Sequence, residues 1–191
     1  GLQNGYHFLA CAALTGVVGG GLTLSTGNAL GRGLDTRQAY LLTSAIWFLV
    51  PFFGALPFWI GAPGLSLNNA YFEAVSGITT TGASVISGLA DLPQGMTLWR
   101  GMLNWLGGLG IAFIAMIFLP LMRIGGMQFF RTEGFDTFGK VLPRATDIAQ
   151  QLLVVYLALT GSTMVVYAVL GMPSFEAVVH GMSTVATGGF S

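Results

Sequence analysis

Long uncharged stretches alternate with short charged ones along this chain. A helix needs about 20 mostly apolar residues to cross a bilayer, and each uncharged stretch is long enough for one crossing. The predicted spans cover residues 6–24, 39–60, 96–121 and 148–170. The far end of the second span is aromatic, and we expect Pro51 and Pro57 to break it.

Two shorter apolar segments each lead into a loop of nearly the same sequence. Ser66 is placed to cap the first segment, with its body at 69–79, and Pro173 begins the second. Residues 76–84 and residues 183–191 both read Ser-x-(Ile/Val)-x-Thr-x-Gly-x-Ser, 107 positions apart. A hydrophobic segment of 10–14 residues is too short to span, so both are predicted to be re-entrant.

The Thr/Gly loops carry the candidate chemistry. At membrane depth, irregular backbone is tolerated only where protein buries it or where it lines a water-filled path. Its carbonyls can replace the hydration shell of a cation, and glycine permits the dihedral angles that turn successive carbonyls the same way. The rival interpretation is a pair of ordinary turns with helix-stopping glycines. The predicted filter residues are Thr80, Thr81, Gly82, Ala83, Thr187, Gly188, Gly189 and Phe190, with carbonyls of 80–82 and 187–189 as the cation ligands.

Two residues of the first short segment, Glu73 and Ser76, are predicted to support the filter. A charge at membrane depth is costly and is a functional candidate by default. We expect Glu73 to brace the loop through hydrogen bonds, and the alternative is a rim carboxylate that attracts cations. Glu176 lies near the start of the second segment, where a carboxylate suits the helix dipole, so its role is expected to be structural.

Other polar and small residues receive plainer interpretations. Arg100, at the head of the third span, is expected to anchor that span at the interface or to pair with Asp91. His180 is expected to be a packed neutral histidine. Glycines 107, 108 and 110 follow no strand, so they indicate close helix packing and not a dinucleotide site.

Composition limits the class of protein. Only 7% of the residues are charged and 53% are hydrophobic, whereas soluble domains carry about 25% charged residues. The chain is therefore predicted to be a membrane protein. The net charge is zero and there is no basic patch, so nothing points to nucleic acid. The single cysteine, Cys11, is interpreted as a packing residue.

The charges also predict orientation and organisation. Six of the seven Lys/Arg residues fall in the two loops that an alternating topology puts on one side. The positive-inside rule makes that side cytoplasmic, so both Thr/Gly loops open outward. The order of span, re-entrant segment, loop and span is that of one unit of a tetrameric cation channel, so residues 38–145 are predicted to be a first pore repeat and 146–191 the first half of a second. Residues 1–37 are predicted to be an additional, accessory transmembrane helix and cytoplasmic loop. The chain is expected to be a piece of a longer protein.

These motifs together resemble those of the Trk/Ktr/HKT superfamily of potassium transporters, above all the membrane subunit of the bacterial Trk uptake system. The resemblance runs from about residue 38 to the end, in the family's order and spacing. Besides the two loops, it is carried by Phe72-Glu-Ala-Val, Leu98-Trp-Arg, Asn104-Trp-Leu-Gly-Gly-Leu-Gly-Ile, Leu119-Pro, Ile124-Gly-Gly-Met, Arg131-Thr-Glu-Gly and Leu142-Pro-Arg.

The resemblance implies an all-α integral membrane protein with helix, re-entrant pore helix, filter loop and helix repeats, as in tetrameric potassium channels. Four such units would surround one pore, with Gly82 and Gly189 at the filter centre. It also implies potassium uptake across a bacterial inner membrane, a homodimer, a cytosolic ring of nucleotide-binding regulatory subunits, no enzymatic activity and no cofactor. Phe-Glu-Ala-Val recurs at 72–75 and 175–178 with an offset of 103, so the repeats are aligned on the loops instead.

Two other classes of function remain as alternatives. A non-channel solute transporter would also place broken helices at the membrane midplane. An intramembrane serine protease would use Ser84 or Ser183 with His180, although the chain lacks a glycine-framed nucleophile.

Overall fold

The computed structural model describes residues 2–27, 36–118 and 141–190, and within these ranges the chain forms helices and loops with no strand. A short 3₁₀ turn, Leu89–Asp91, precedes the fourth helix. The α-helices are α1 Leu2–Thr26, α2 Thr36–Ile60, α3 Leu67–Ile78, α4 Gln94–Phe118, α5 Val141–Val169 and α6 Ser174–Val185. The expected all-α class is confirmed.

Helix length separates candidate spans from short helices. In the described ranges, three segments are long and apolar enough to cross a membrane: Gly5–Thr26, Tyr40–Ile60 and Asp147–Val169. Helix α4 has 25 residues, or about 38 Å at 1.5 Å per residue. Helices α3 and α6 have 12 residues each, about 18 Å, which is less than the hydrocarbon thickness of about 30 Å. Most of the loop between the predicted spans 96–121 and 148–170 lies outside the described residues, as do the motifs that begin at Leu119, Ile124 and Arg131.

The expectation that prolines break the second span is wrong. Helix α2 continues through both Pro51 and Pro57 to Ile60. A proline removes one helical hydrogen bond and opens the turn before it, and neighbouring helices can supply new donors to the carbonyls there. The hydroxyl of Tyr71 donates to the Phe48 carbonyl at 3.2 Å, and the indole of Trp99 donates to the Gly54 carbonyl at 3.0 Å. Each accepting carbonyl lies three residues before a proline.

The hydrophobic core lies where α2, α3 and α4 meet. Small side chains on α3, Ala70 and Ala74, allow the short helix to pack closely between its two long neighbours. The remaining core members are Ala55, Phe58, Ile78, Met96 and Leu103. Helix α6 packs in the same way between α4 and α5. Helix α4 therefore contacts both short helices and fixes their relative position.

Candidate functional site

The two short helices are copies of one another in register. They begin 107 positions apart, at Leu67 and Ser174, and have equal length. The first backbone bonds match as well, from Ala70 to Ser66 and from Ala177 to Pro173, both at 2.8 Å. This offset supports the alignment on the loops. In this alignment the two Phe-Glu-Ala-Val copies are out of register by about one helical turn.

The chain also leaves both helices in the same way. After each helix, three successive N–H groups bond back to carbonyls of the last turns, which ends the helix in a tight turn. In the first copy the bonds are Thr79 to Val75, Thr80 to Gly77 and Thr81 to Ser76, and in the second they are Ala186 to Met182, Thr187 to Thr184 and Gly188 to Ser183. The donor and acceptor of each bond in the first copy lie 107 positions before those of the matching bond in the second copy.

The loops share an unusual backbone conformation. Thr80 and Thr187 have φ of 55° and 58°, and Gly82 and Gly189 have φ of 77° and 58°. The left-handed region costs a residue with a side chain about 1–2 kcal/mol. Such strain persists only where surrounding structure fixes it, and it is commonly found at functional sites. The repeated use of threonine there argues against two ordinary glycine turns.

The predicted ligand carbonyls remain available. Those of residues 80–82 and 187–189 accept no hydrogen bond from any residue that the structure describes. The loops also meet, because a Cβ built on Gly82 would lie 1.9 Å from the carbonyl oxygen of Gly188. Only glycine fits at position 82. Two turns with free peptide oxygens therefore lie side by side, although they come from different repeats.

Glu73, which is predicted to brace the first loop, bonds to the chain just beyond that loop. Its carboxylate is fully buried and accepts from the Ser84 hydroxyl at 2.8 Å and from the Val85 N–H at 3.0 Å. The Ser84 hydroxyl in turn accepts from the Ile86 N–H at 3.1 Å. These bonds tie the chain beyond the loop back to α3, so the carboxylate is not exposed at a rim.

The expected role of Arg100 is wrong. Its side chain is 3% exposed and pairs with Glu73 at 2.5 Å, not with Asp91, which is exposed. The turn of helix that carries Arg100 faces α3 and α6, so the guanidinium points into the protein and not toward an interface. Removing one partner of such a buried pair strongly destabilises a protein, because the other charge stays buried without a partner.

Phe190 is held on both sides of its backbone. Its N–H donates to the Ser183 hydroxyl at 2.7 Å, and its carbonyl accepts from Arg100 at 3.4 Å. A second cation at that oxygen would be repelled by the guanidinium. Phe190 is 1% exposed, whereas Ala83, its counterpart, is exposed. The Phe190 carbonyl is therefore not a candidate ligand, and the candidate ligand carbonyls of the second loop remain those of residues 187–189.

Asn104 belongs to the site, although the sequence did not lead us to predict it as a site residue. It is fully buried, its amide nitrogen donates to the Ser183 hydroxyl at 3.1 Å, and its side chain lies against Gly188. The signal available in the sequence was the spacing of Arg100 and Asn104, two polar residues four apart in an apolar span, which share a helix face.

Ser76, which is predicted to support the filter, contacts the first loop through its backbone. Its carbonyl accepts from the N–H groups of Thr81 at 3.0 Å and Gly82 at 3.5 Å. Its hydroxyl is buried and has no hydrogen-bond partner among the described residues, and the same holds for the side-chain oxygen of Asn104.

The glycines of α4 set the distance to both short helices. A Cβ on Gly107 would lie 1.9 Å from the Ile78 carbonyl oxygen, and one on Gly108 would lie 3.0 Å from the Ala186 Cα. These are the C-terminal ends of α3 and α6. Close packing is confirmed for both glycines, but nothing lies within 4 Å of a Cβ on Gly110.

The fold and the loops define a helical membrane protein built from a repeated unit of spanning helix, re-entrant helix and irregular loop. Comparison with known proteins agrees with this class. The model of the TrkH family, described as a cation transport protein, matches residues 6–191. The chain therefore belongs to the TrkH family.

Individual relatives cover most of this chain. The Trk system potassium uptake protein TrkI of Halomonas elongata is 44% identical over 158 residues, which are 83% of this chain and 32% of the relative. TrkG of Escherichia coli K12, another Trk system potassium uptake protein, is 40% identical over 177 residues, 91% of this chain and 36% of the relative. This chain spans about a third of the length of the curated relatives it matches.

A solved structure shares the fold. The crystal structure of the potassium transporter TrkH from Vibrio parahaemolyticus matches with a TM-score of 0.72 and 38% sequence identity. The match covers 84% of this chain and 32% of that one.

Proposed function

We propose that this chain contributes two pore loops to a protein that takes up potassium across a bacterial inner membrane. The observation that carries the proposal is the meeting of two equivalent turns, whose carbonyls at 80–82 and 187–189 accept no hydrogen bond from the described residues. Unpaired peptide oxygens at membrane depth need a partner, and a desolvated cation is such a partner.

The short helices favour a positive charge at the same place. Each ends at its loop, so the partly negative C-terminal ends of α3 and α6 lie next to the free carbonyls. Peptide oxygens and helix dipoles carry only partial charges. They attract a monovalent cation without the tight hold that a carboxylate ligand would add.

Potassium is the cation favoured by the relatives. TrkI and TrkG carry potassium uptake in their names, and the matching solved structure is of a potassium transporter. By the same family likeness, the full protein is proposed to be a multi-pass homodimer that binds a cytosolic ring of nucleotide-binding regulatory subunits. It is proposed to act as a transporter without a cofactor and not as an enzyme.

The contacts of the loop serines favour transport over proteolysis. The Ser183 hydroxyl is buried and already accepts from Asn104 and from the Phe190 N–H. The Ser84 hydroxyl donates to Glu73, a carboxylate that is paired with Arg100. A nucleophilic serine needs a free base within hydrogen-bond reach, whereas Glu73 is already paired and both hydroxyls accept from backbone N–H groups.

Replacing Gly82 by Ala tests the proposal. The added methyl group meets the Gly188 carbonyl at 1.9 Å and is strained at φ of 77°. In the full-length protein, expressed in bacteria that lack other potassium uptake, we expect potassium or rubidium uptake to fall by about tenfold or more. Gly161→Ala is the matched control, since nothing lies within 4 Å of its Cβ.

Wild-type uptake and wild-type discrimination against sodium in Gly82→Ala would overturn the filter assignment. Transport of an organic solute without any potassium flux would instead favour the solute-transporter alternative.

A further inference from the structure

The guanidinium of Arg100 contacts both loops at once. Nη1 donates to the Glu73 carboxylate at 2.5 Å and to the Ser84 hydroxyl at 3.2 Å, both in the first repeat. Nη2 donates to the Phe190 carbonyl at 3.4 Å, in the second repeat. The guanidinium carbon also lies 4.1 Å from the centroid of the Phe190 ring, a distance typical of a cation–π contact.

These contacts need the shape of arginine. The planar guanidinium presents several N–H groups in a fixed fork, so one side chain can reach two partners in set directions. A lysine ammonium is a point charge that could keep Glu73 but has no flat face to stack on Phe190 and no fork to span both loops. Arg100 therefore makes more contacts than are needed to neutralise the buried carboxylate of Glu73.

Helix α4 holds the second loop at one more point. One helical turn beyond Arg100, the amide of Asn104 donates to the Ser183 hydroxyl at 3.1 Å, and that hydroxyl accepts from the Phe190 N–H. Both backbone polar groups of Phe190 are thus tied to α4, directly through Arg100 and indirectly through Ser183. Helix α4 belongs to the first repeat, so one repeat positions the loop of the next.

We propose that Arg100 is a positioning residue that fixes the second pore loop against the first and thereby determines ion selectivity. Phe190 directly follows Gly189, and Ser84 lies two residues after Gly82. Movement at either contact changes the spacing between the facing carbonyls, and the spacing and number of carbonyl dipoles underlie discrimination between potassium and sodium. This inference rests on the proposed function.

Two substitutions of Arg100 separate positioning from charge. Arg100→Lys keeps a cation for Glu73 and loses the fork, while Arg100→Gln loses both. The control is Arg37→Gln, which removes a charge from an exposed position at the start of α2. The full-length proteins are purified in detergent, checked by thermal unfolding, and reconstituted in vesicles. Rubidium uptake is then measured with and without competing sodium.

Hydrogen exchange supplies a readout that does not depend on transport. Peptides covering 183–190 report on the second loop, and peptides covering 152–169 in α5 report on the general stability of the protein. For Arg100→Lys we expect faster exchange at 183–190 with little change in α5. We also expect selectivity for rubidium over sodium to fall by roughly tenfold, because the spacing of the facing carbonyls changes. Thermal unfolding should shift only by the small amount that one lost charge-assisted hydrogen bond implies, and the protein should still fold.

The outcomes divide clearly. Unchanged selectivity and unchanged exchange at 183–190 in Arg100→Lys, with a selective wild type, would overturn the positioning role alone. If both variants fail to fold while Arg37→Gln folds, Arg100 is a folding residue and the proposal is rejected. A wild-type protein that moves no potassium or rubidium would overturn the proposed function, and this inference with it.

Discussion

Replacing Gly107 by Ala should move the end of the first pore helix. A Cβ at this position would lie 1.9, 2.6 and 2.8 Å from the O, C and Cα of Ile78, and real Cβ contacts below 3.0 Å essentially never occur. All three atoms are backbone, so α3 and α4 must separate by about 1 Å. Overpacking of this kind typically costs about 1–3 kcal/mol, and the rigid neighbour argues for the upper end.

The matched control for this change is Gly110→Ala, three residues further along α4, where nothing lies within 4 Å of the new Cβ. There alanine should gain about 0.5–1 kcal/mol of helix stability. Thermal unfolding of the full-length protein in detergent compares the two variants, and rubidium uptake by cells reports on the loop that follows Ile78. Equal stability and equal uptake in both variants would refute the packing argument.

Three further changes test the contacts around the site, each by thermal unfolding in detergent. Glu73→Gln leaves the Arg100 guanidinium buried without its carboxylate, so we expect a loss of about 3–5 kcal/mol; wild-type stability would contradict this. Tyr156→Phe removes the hydroxyl that donates to the Trp105 carbonyl at 2.9 Å, with an expected loss of about 1 kcal/mol, and no loss would mean that this bond does not hold α5 to α4. Ser66→Ala removes the cap of α3, a hydroxyl that accepts from the Asn69 N–H at 3.4 Å. Because this bond is long, we expect a loss of stability near the lower end of about 0.5–2 kcal/mol. A larger loss would imply another role for Ser66.

The helices were predictable because their signals are local. The cap at Ser66 and the lengths of the uncharged stretches depend on neighbouring residues, and α3 begins directly after that cap. The continuity of α2 through Pro51 and Pro57 was not predictable. It depends on donors from Tyr71 and Trp99, which lie on other helices.

The candidate site divides in the same way. The 107-residue repeat predicted the two matched loops, since repeated sequence in similar surroundings gives repeated backbone bonds. The partner of Arg100 could not be read locally. Asp91 is nearer along the chain, whereas Glu73, 27 residues away, is nearer in space. Only the packing of α4 between α3 and α6 decides between them.

The central claim is that peptide oxygens of both loops bind the transported ion. Anomalous diffraction from crystals of the full-length protein grown in rubidium tests it most directly. We expect an anomalous peak within ligand distance of carbonyl oxygens from both 80–82 and 187–189. The ion site would be wrong if a transporting protein showed its only rubidium peak elsewhere. It would also be wrong if these oxygens were hydrogen-bonded to protein groups.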